Sequence, residues 1–461
     1  MPEEILRICE WAKLKADALT SVQREQLNAA VLSWAQQQHL SSSPLSFSGP
    51  HGELLCATQY VGVVEIDEVA IEIYPKLDSA LLATGQPPLI SNQAHVTSVM
   101  RNLLWMLEVA EHREVVEADA GHLEEMPTTF FDLFAYLLGK NLLKQLMAGV
   151  SHNYVTYTDD LTAVRGRIRL GDQLTRNWNR LDRIACTWDE FTPNTPANRL
   201  FKCACRFLAD RVSYNEAARL LIDCLTLLDD AQDVSPRTAL HDVEGLRFDR
   251  SMDRFRLAFD LATRLLKASG HTLGAGGGNT FVFLIDMNEL FQNYVHAGLE
   301  ARFQTAVKQQ ECVGHLLKLA KGRIAQYADY FWRSGGHLWI GDAKYKHLAA
   351  GQAAALRFTD LPDTNEDQAD ASVLAGYILN AGDVRQLTVY AELARCKYNH
   401  PSGKVSLALL YPFVGMDSQC LPDHTATWND SALWLVPVRV VRQTNPANII
   451  PLLAEGSQSQ A

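Results

Sequence analysis

Leu338-Trp339-Ile340-Gly341-Asp342-Ala343-Lys344-Tyr345-Lys346 decides how the rest of this chain is read. The apolar start reads as a buried strand. On a strand, residues two apart share a face, so Asp342 and Lys344 point the same way, behind Leu338 and Ile340. Two core residues followed by two charges place the charges at the strand's exit, where α/β sheets expose functional groups. A carboxylate there can hold a divalent cation, and a neighbouring ammonium can orient a water or stabilise a developing anion. Asp329 lies thirteen positions upstream, in Ala328-Asp329-Tyr330. Taken alone, the stretch leans toward an edge strand with its charges turned to solvent, and Asp329 alone is unremarkable.

A helix expected over 383–395 adds a second observation. Gln386 and Tyr390 stand at i and i+4, so they share a face. Asp, a gap, Asp-x-Lys, then a helix with Gln-x3-Tyr resembles the RecB-like branch of PD-(D/E)xK nucleases. That resemblance implies that Gln386 orders a metal site and Tyr390 supports it. The competing reading is an ordinary amphipathic helix capped by Asp383. Upstream, a helix opens at Asp286-Met287-Asn288-Glu289. Glu289 fits the helix carboxylate that many such nucleases add to the metal site. It fits equally the third helical residue of a capping box behind Asp286.

The chain has 461 residues, enough for roughly three domains of about 150 residues each. Apolar residues make up 47% and charged residues 21%, which suits a large buried core. A formal net charge of −11 argues against coating nucleic acid by bulk electrostatics. Nine cysteines are scattered without a CxxC pair. Cys203-x-Cys205 lacks a partner motif, so neither a zinc site nor a disulfide framework is expected, and the usage fits a reducing compartment. Met1-Pro2-Glu3-Glu4 lacks a signal-peptide pattern, and no stretch approaches the ~20 apolar residues of a membrane span. A cytoplasmic location, away from membranes, is expected.

The fold class expected is α+β multidomain. An N-terminal helical and β-rich module spans 1–95. Residues 3–38 read as helical, and strands follow near 54–57, 61–66 and 70–74. A linker is read at Thr84-Gly85-Gln86-Pro87-Pro88. A mostly helical middle region spans 96–270, with helices near 97–111, 128–148, 198–208 and 216–228. Residues 271–445 form a C-terminal α/β core. It opens on the glycine-rich 271–279, read as a loop and not a P-loop because no Gly-Lys-Ser/Thr follows. A strand at 280–285 and a helix at 287–303 come next, then strands near 324–333 and 337–346. A polar insertion at 347–372 precedes the helix 383–395 and strands at 405–411 and 433–440. A flexible tail covers 446–461.

One basic segment stands out. From Leu161 to Arg183 there are six arginines against Asp172 and Asp182. Strict alternation over 164–170 reads as a strand with Arg165, Arg167 and Arg169 on one face, able to track phosphates. A surface for an acidic protein partner, or for internal pairing, fits as well.

Taken in order, further segments resemble the McrC family, the nuclease subunits of McrBC-type 5-methylcytosine-dependent restriction systems. The segments are Val61-Gly62-Val63-Val64, Ile71-Glu72-Ile73-Tyr74-Pro75-Lys76-Leu77, Gly149-Val150 leading to Tyr154-Val155, and Arg165-Gly166-Arg167-Ile168. Asp189-Glu190-Phe191-Thr192 with Asn198-Arg199 follows, then Asp286-Met287-Asn288 with Leu290-Phe291, the Asp342-x-Lys344 strand, and Gln386-x3-Tyr390. The resemblance runs from about residue 60 to 440. It departs at Ala328, where the family often has Pro, and at Gln292, where it often has an acidic residue. Glu289, one turn earlier, would then substitute. Residues 1–40 look like an addition to shorter members.

What the resemblance implies is an endonuclease subunit using Mg²⁺ and binding no nucleotide itself. Its partners would be a hexameric McrB-like AAA+ GTPase, which it would stimulate, and modified double-stranded DNA. Asp329, Asp342 and Glu289 would be the metal ligands, with the Ala343 carbonyl completing the sphere, and Lys344, Gln386 and Tyr390 would serve catalysis. An assembly factor and GTPase activator with a weak or inactive cutting site is the alternative. A repair or toxin-like nuclease working without a GTPase is a third reading.

Overall fold

Valine and isoleucine crowd segments 60–66 and 69–74, a pattern suited to strands covered on both faces. In the computed structural model these segments form the middle of a four-stranded sheet. Its order is Glu4–Cys9, Val69–Tyr74, Tyr60–Ile66, Thr280–Asp286. The structure describes residues 4–15, 19–49, 54–66, 69–77, 93–111, 127–248, 250, 252–269, 280–319, 322–346, 371–374, 377–399, 405–413, 425–428, 431–441, 443 and 445–450. The linker, the glycine-rich loop, nearly all of the polar insertion and most of the tail lie outside these residues.

The helix expected over 3–38 is corrected in its first half. Glu4–Cys9 is a strand, parallel to Val69–Tyr74, and Lys13–Lys15 is a second strand in a small separate sheet. The helix occupies Ser21–Gln37 and opens on a capping box between Thr20 and Gln23. Ile5, Leu6 and Ile8 are too few to separate the two periodicities, and pairing with a sheet edge decides between them. Trp11, held at a positive φ of 63°, turns the chain directly after the strand.

Thr280–Asp286 pairs antiparallel with Tyr60–Ile66, so the strand that leads into the C-terminal half closes the N-terminal sheet. The two strands meet closely at Gly62, where a Cβ would stand 2.1 Å from the Phe283 carbonyl oxygen and φ is +145°. No other residue fits there without shifting the backbone.

The middle region holds the expected helices, among them Gln93–Glu111, Phe130–Met147, Pro196–Ala209 and Asn215–Leu227. It also holds a three-stranded sheet in the order Asn153–Leu161, Ile184–Thr192, Arg167–Ile168. The strand expected over 164–170 is therefore corrected to two residues, and Arg165, Arg167 and Arg169 do not share a strand face. Arg165 reaches Glu190 at 3.3 Å and lies over the Trp188 ring. Arg169 precedes the short helix Leu170–Thr175 and pairs with Asp172. Gly166, at φ +70°, breaks the extended run between them.

A six-stranded sheet carries the C-terminal half, in the order Lys308–Leu319, Gly322–Ser334, His337–Ala343, Val405–Phe413, Ser431–Arg439, Thr425–Trp428. The first three strands form an antiparallel meander, and His337–Ala343, Val405–Phe413 and Ser431–Arg439 run parallel. The helix Ala381–Tyr398 supplies the crossover between His337–Ala343 and Val405–Phe413. Lys308–Leu319 is a strand that the apolar pattern did not reveal. Strand alternation divides the sheet's residues between two cores. Tyr330, Trp332, Trp339 and Leu410 join the main core, which also contains the N-terminal sheet and the helix Met287–Phe303. Phe331, Leu338, Ile340 and Leu407 pack with Leu387, Tyr390 and Ala391 of the crossover helix. Among the described residues no helix is long and apolar enough to cross a membrane.

Candidate active site

Gly322–Ser334 and His337–Ala343 pair with Tyr330 opposite Gly341, so one step further Asp329 stands opposite Asp342. Both lie on the face covered by the crossover helix, as the shared parity with Phe331, Leu338 and Ile340 requires.

The two carboxylates are held differently. Asp329 is half-buried. Its Oδ2 accepts from the Ala343 backbone N–H at 3.1 Å and from Gln292 Nε2 at 3.4 Å, and its Oδ1 accepts from Gln310 Nε2 at 3.3 Å. Asp342 is 1% exposed, and its Oδ1 finds no hydrogen-bond partner among the described residues. Its Oδ2 forms an ion pair with Lys344 Nζ at 2.7 Å. Burial pushes the Asp342 carboxyl up to about 7, and the negative charge of Asp329 adds to that push while Lys344 opposes it.

Lys344 ties the strand to the helix. Its ammonium donates to Gln386 Oε1 at 3.2 Å, and Gln386 Nε2 donates to the Tyr390 hydroxyl at 2.6 Å. Burial alone would lower the lysine's proton affinity. The facing carboxylates, Asp342 above all, outweigh burial and hold it above the ordinary range. Two residues on, Lys346 Nζ meets Asp383 at 3.1 Å, in the first turn of the same helix. The crossover helix is thus clamped to the strand exit by two lysines that share a face.

Asp329, Asp342, Lys344, Gln386 and Tyr390 therefore converge in one place, as the resemblance to PD-(D/E)xK nucleases implied. Glu289 does not join them. It is exposed in the first turn of Met287–Phe303, and its backbone N–H lies 3.5 Å from the capping carboxylate of Asp286. Gln292 of that helix reaches Asp329 instead. Arg165, Arg167 and Arg169 lie on the separate three-stranded sheet and its flanks. Sequence reasoning missed Gln310. It sits at a positive φ of 50° in Lys308–Leu319, two residues before a register shift of that strand. Bulged, irregular strands collect beside active sites, but nothing local in the sequence announces one here.

Among the described residues no group of three or more His, Cys, Asp and Glu side chains is placed to hold a metal ion. The acidic donors gathered at this site are two carboxylates, with Lys344 between them and the helix.

Comparison with known proteins bears on the whole arrangement. Residues 55–361 match the family model described as McrBC 5-methylcytosine restriction system component, a span that includes Asp329, Asp342 and Lys344 but not Gln386 or Tyr390. A chain in the refined half-complex from a tetradecameric assembly of Thermococcus gammatolerans McrB AAA+ hexamers with bound McrC has the same fold. The TM-score is 0.61 at 17% identity, covering 96% of this chain and 98% of that one. A chain of the Thermococcus gammatolerans McrBC complex aligns at a TM-score of 0.44 and 18% identity, over 66% of this chain and 89% of that one, too low for an argument from fold. No curated protein matches this chain. With more than half of its length matched by the family model, the chain belongs to the McrBC 5-methylcytosine restriction system component family.

Proposed function

We propose that this chain is the DNA-cutting subunit of a GTP-driven, modification-dependent restriction complex, built on a PD-(D/E)xK core and using Mg²⁺. The observation that carries the proposal is Asp342. Asp342 is 1% exposed, and a buried carboxylate oxygen without a partner is costly unless something else comes to it. Asp329 beside it doubles the negative charge, and Lys344 offsets only part of it. Two hard oxygen donors with a residual negative charge suit a small divalent cation. Asp329 and Asp342 would hold it, and when bound it would supply Lewis-acid polarisation of the scissile phosphate.

The chain's own residues do the rest. The Lys344 ammonium, fixed by Asp342 on one side and Gln386 on the other, stands where it can orient a water or a phosphate oxygen. Tyr390 keeps the Gln386 amide from turning, so its oxygen stays on the lysine. Gln292 and Gln310 hold one oxygen each of Asp329, which fixes the plane of that carboxylate.

The partner proposed is a hexameric AAA+ GTPase, whose hydrolysis this chain would stimulate, with methylated double-stranded DNA as substrate. Support comes from the near-complete alignment with a chain of an assembly described as McrB AAA+ hexamers with bound McrC. The acidic charge of the chain and its lack of a P-loop motif fit a division in which the partner binds nucleotide and chooses the DNA. One observation favours the second reading, a GTPase activator with a weak or inactive site: an amide, Gln292, occupies the place beside Asp329 where the resemblance leads one to expect an acid.

The test is cleavage of methylated DNA by the chain with its AAA+ partner and GTP, with and without divalent cation. Cleavage should vanish on chelation and return with Mg²⁺. GTPase stimulation without cleavage in any divalent cation would leave the second reading standing.

A further inference from the structure

Glu10 is a buried acid that the site described above does not use. It follows the first strand of the N-terminal sheet and is 1% exposed. Its Oε1 accepts from the Lys76 backbone N–H at 2.8 Å and from the Tyr345 hydroxyl at 2.7 Å. Its Oε2 finds no hydrogen-bond partner among the described residues. Burial pushes its carboxyl up to about 7, against the pull of Lys76 and the hydrogen bonds it accepts.

Tyr345 is the residue after Lys344. Its ring packs on Phe291 with centroids 5.7 Å apart and lies 4.9 Å beneath Lys76 Nζ. Phe291 precedes Gln292, whose amide holds Asp329. From Tyr345, then, one covalent step leads to Lys344, and one packed ring leads to the helix that touches Asp329. Beyond Ala343, the Tyr345 ring is buried in the main core, and a set of polar contacts ties the exit segment to the body of the protein. The Lys344 N–H bonds to the Leu410 carbonyl at 2.9 Å, the Lys344 and Lys346 ammoniums reach the crossover helix, and the Tyr345 hydroxyl reaches Glu10.

We propose that Glu10 is a positioning residue for the cutting site: through the Tyr345 hydroxyl its carboxylate fixes the strand exit that carries Lys344, and so ties the geometry of the site to the N-terminal sheet. The inference rests on the nuclease reading for its catalytic consequence, but the tether itself can be read without cleavage. An acid kept in the core with one oxygen unmatched costs stability, and such costs are retained where a geometry must be held. An outer support of this kind typically controls about ten- to hundred-fold in metal affinity or rate.

The experiment uses the full-length chain, alone and with its AAA+ partner, as Glu10→Ala, Glu10→Gln and Tyr345→Phe. Three measurements are made: Mn²⁺ affinity by calorimetry, cleavage kinetics giving kcat and KM for DNA, and hydrogen exchange of peptides covering 341–346. Glu10→Ala and Tyr345→Phe should each speed exchange over 341–346. Each should also lower kcat or Mn²⁺ affinity about ten- to hundred-fold, with KM for DNA unchanged. Glu10→Gln keeps an oxygen for the tyrosine and should stay near wild type in both. Wild-type exchange, Mn²⁺ affinity and kcat in both Glu10→Ala and Tyr345→Phe would overturn the proposal, as would a loss that Glu10→Gln shares in full. If the unmutated chain cuts no DNA with any divalent cation, the nuclease reading fails, and the exchange rates alone decide whether the tether exists.

Discussion

Asp132 and Asp342 are both buried aspartates, one in the helical middle of the chain and one at the end of the C-terminal sheet, and the fold treats them in opposite ways. Asp132 is surrounded by donors. The Ser213 N–H lies 2.7 Å from Oδ1, the Tyr214 N–H 2.9 Å from the same oxygen, and the Ser213 hydroxyl 3.0 Å from Oδ2. It ties the helix Phe130–Met147 to the start of Asn215–Leu227. Asp342 has an ion pair on one oxygen, nothing on the other, and a second carboxylate facing it. A satisfied buried acid is a structural clamp, whereas one left short of donors next to another acid is a binding site in waiting.

The largest effects should come from exchanging these roles. Asp342→Asn should remove cleavage by about 10²- to 10³-fold, with a melting temperature no lower than that of the unmutated chain. Asp132→Ala should do the reverse. It strands the donors of Ser213 and Tyr214 and should cost about 3 kcal/mol of stability, while cleavage per folded molecule is kept. Thermal melts and cleavage rates on the same two proteins measure both. If Asp132→Ala lost cleavage without losing stability, the contrast between clamp and site would collapse.

An intermediate effect concerns Glu10, a buried acid that stands between the two cases. Its carboxyl is pushed from an ordinary 4.5 up to about 7 in the fold, chiefly by burial. A raised carboxyl contributes stability that is full below about 4.5 and is lost as pH rises through about 7. The unmutated chain should therefore melt lower at pH 8 than at pH 5. Glu10→Gln should flatten that slope, as melting temperatures across the range will show. Parallel slopes in the two proteins would mean that Glu10 does not carry the shift.

The part of the site that could be read from sequence is the part set by local periodicity. Asp342 and Lys344 share a face because strands repeat every two residues, and Gln386 and Tyr390 do because helices repeat every 3.6. What joins them is long-range, and the resemblance to known nucleases supplied the bridge that periodicity cannot. Gln310 and Glu10 had no such help. Gln310 reaches Asp329 from a neighbouring strand that the apolar pattern did not reveal, and Glu10 meets Tyr345 across 335 positions of sequence. Residues 4–9 misled for the opposite reason: their few apolar positions fit a helical stripe, and only the neighbouring edge at Val69–Tyr74 makes them a strand.

The smallest effect belongs to the arginines, whose alternation looked as telling as the Asp-x-Lys strand. Arg165 and Glu190 are about half exposed, and Arg169 pairs with Asp172 three residues on. Replacing Arg165, Arg167 and Arg169 together by Ala should change stability by no more than about 1 kcal/mol. The salt dependence of DNA binding by the complex then sorts their role. A log–log slope shallower by about two to three places them on phosphates, and an unchanged slope places them against protein.

The most direct measurement is made on the complex with its AAA+ partner, comparing the unmutated chain with Asp342→Ala for both methylated-DNA cleavage and GTP hydrolysis. If this chain cuts and the partner chooses, cleavage falls by about 10²- to 10³-fold while GTP hydrolysis stays stimulated to the same extent. Cleavage at the unmutated rate in Asp342→Ala would contradict the account.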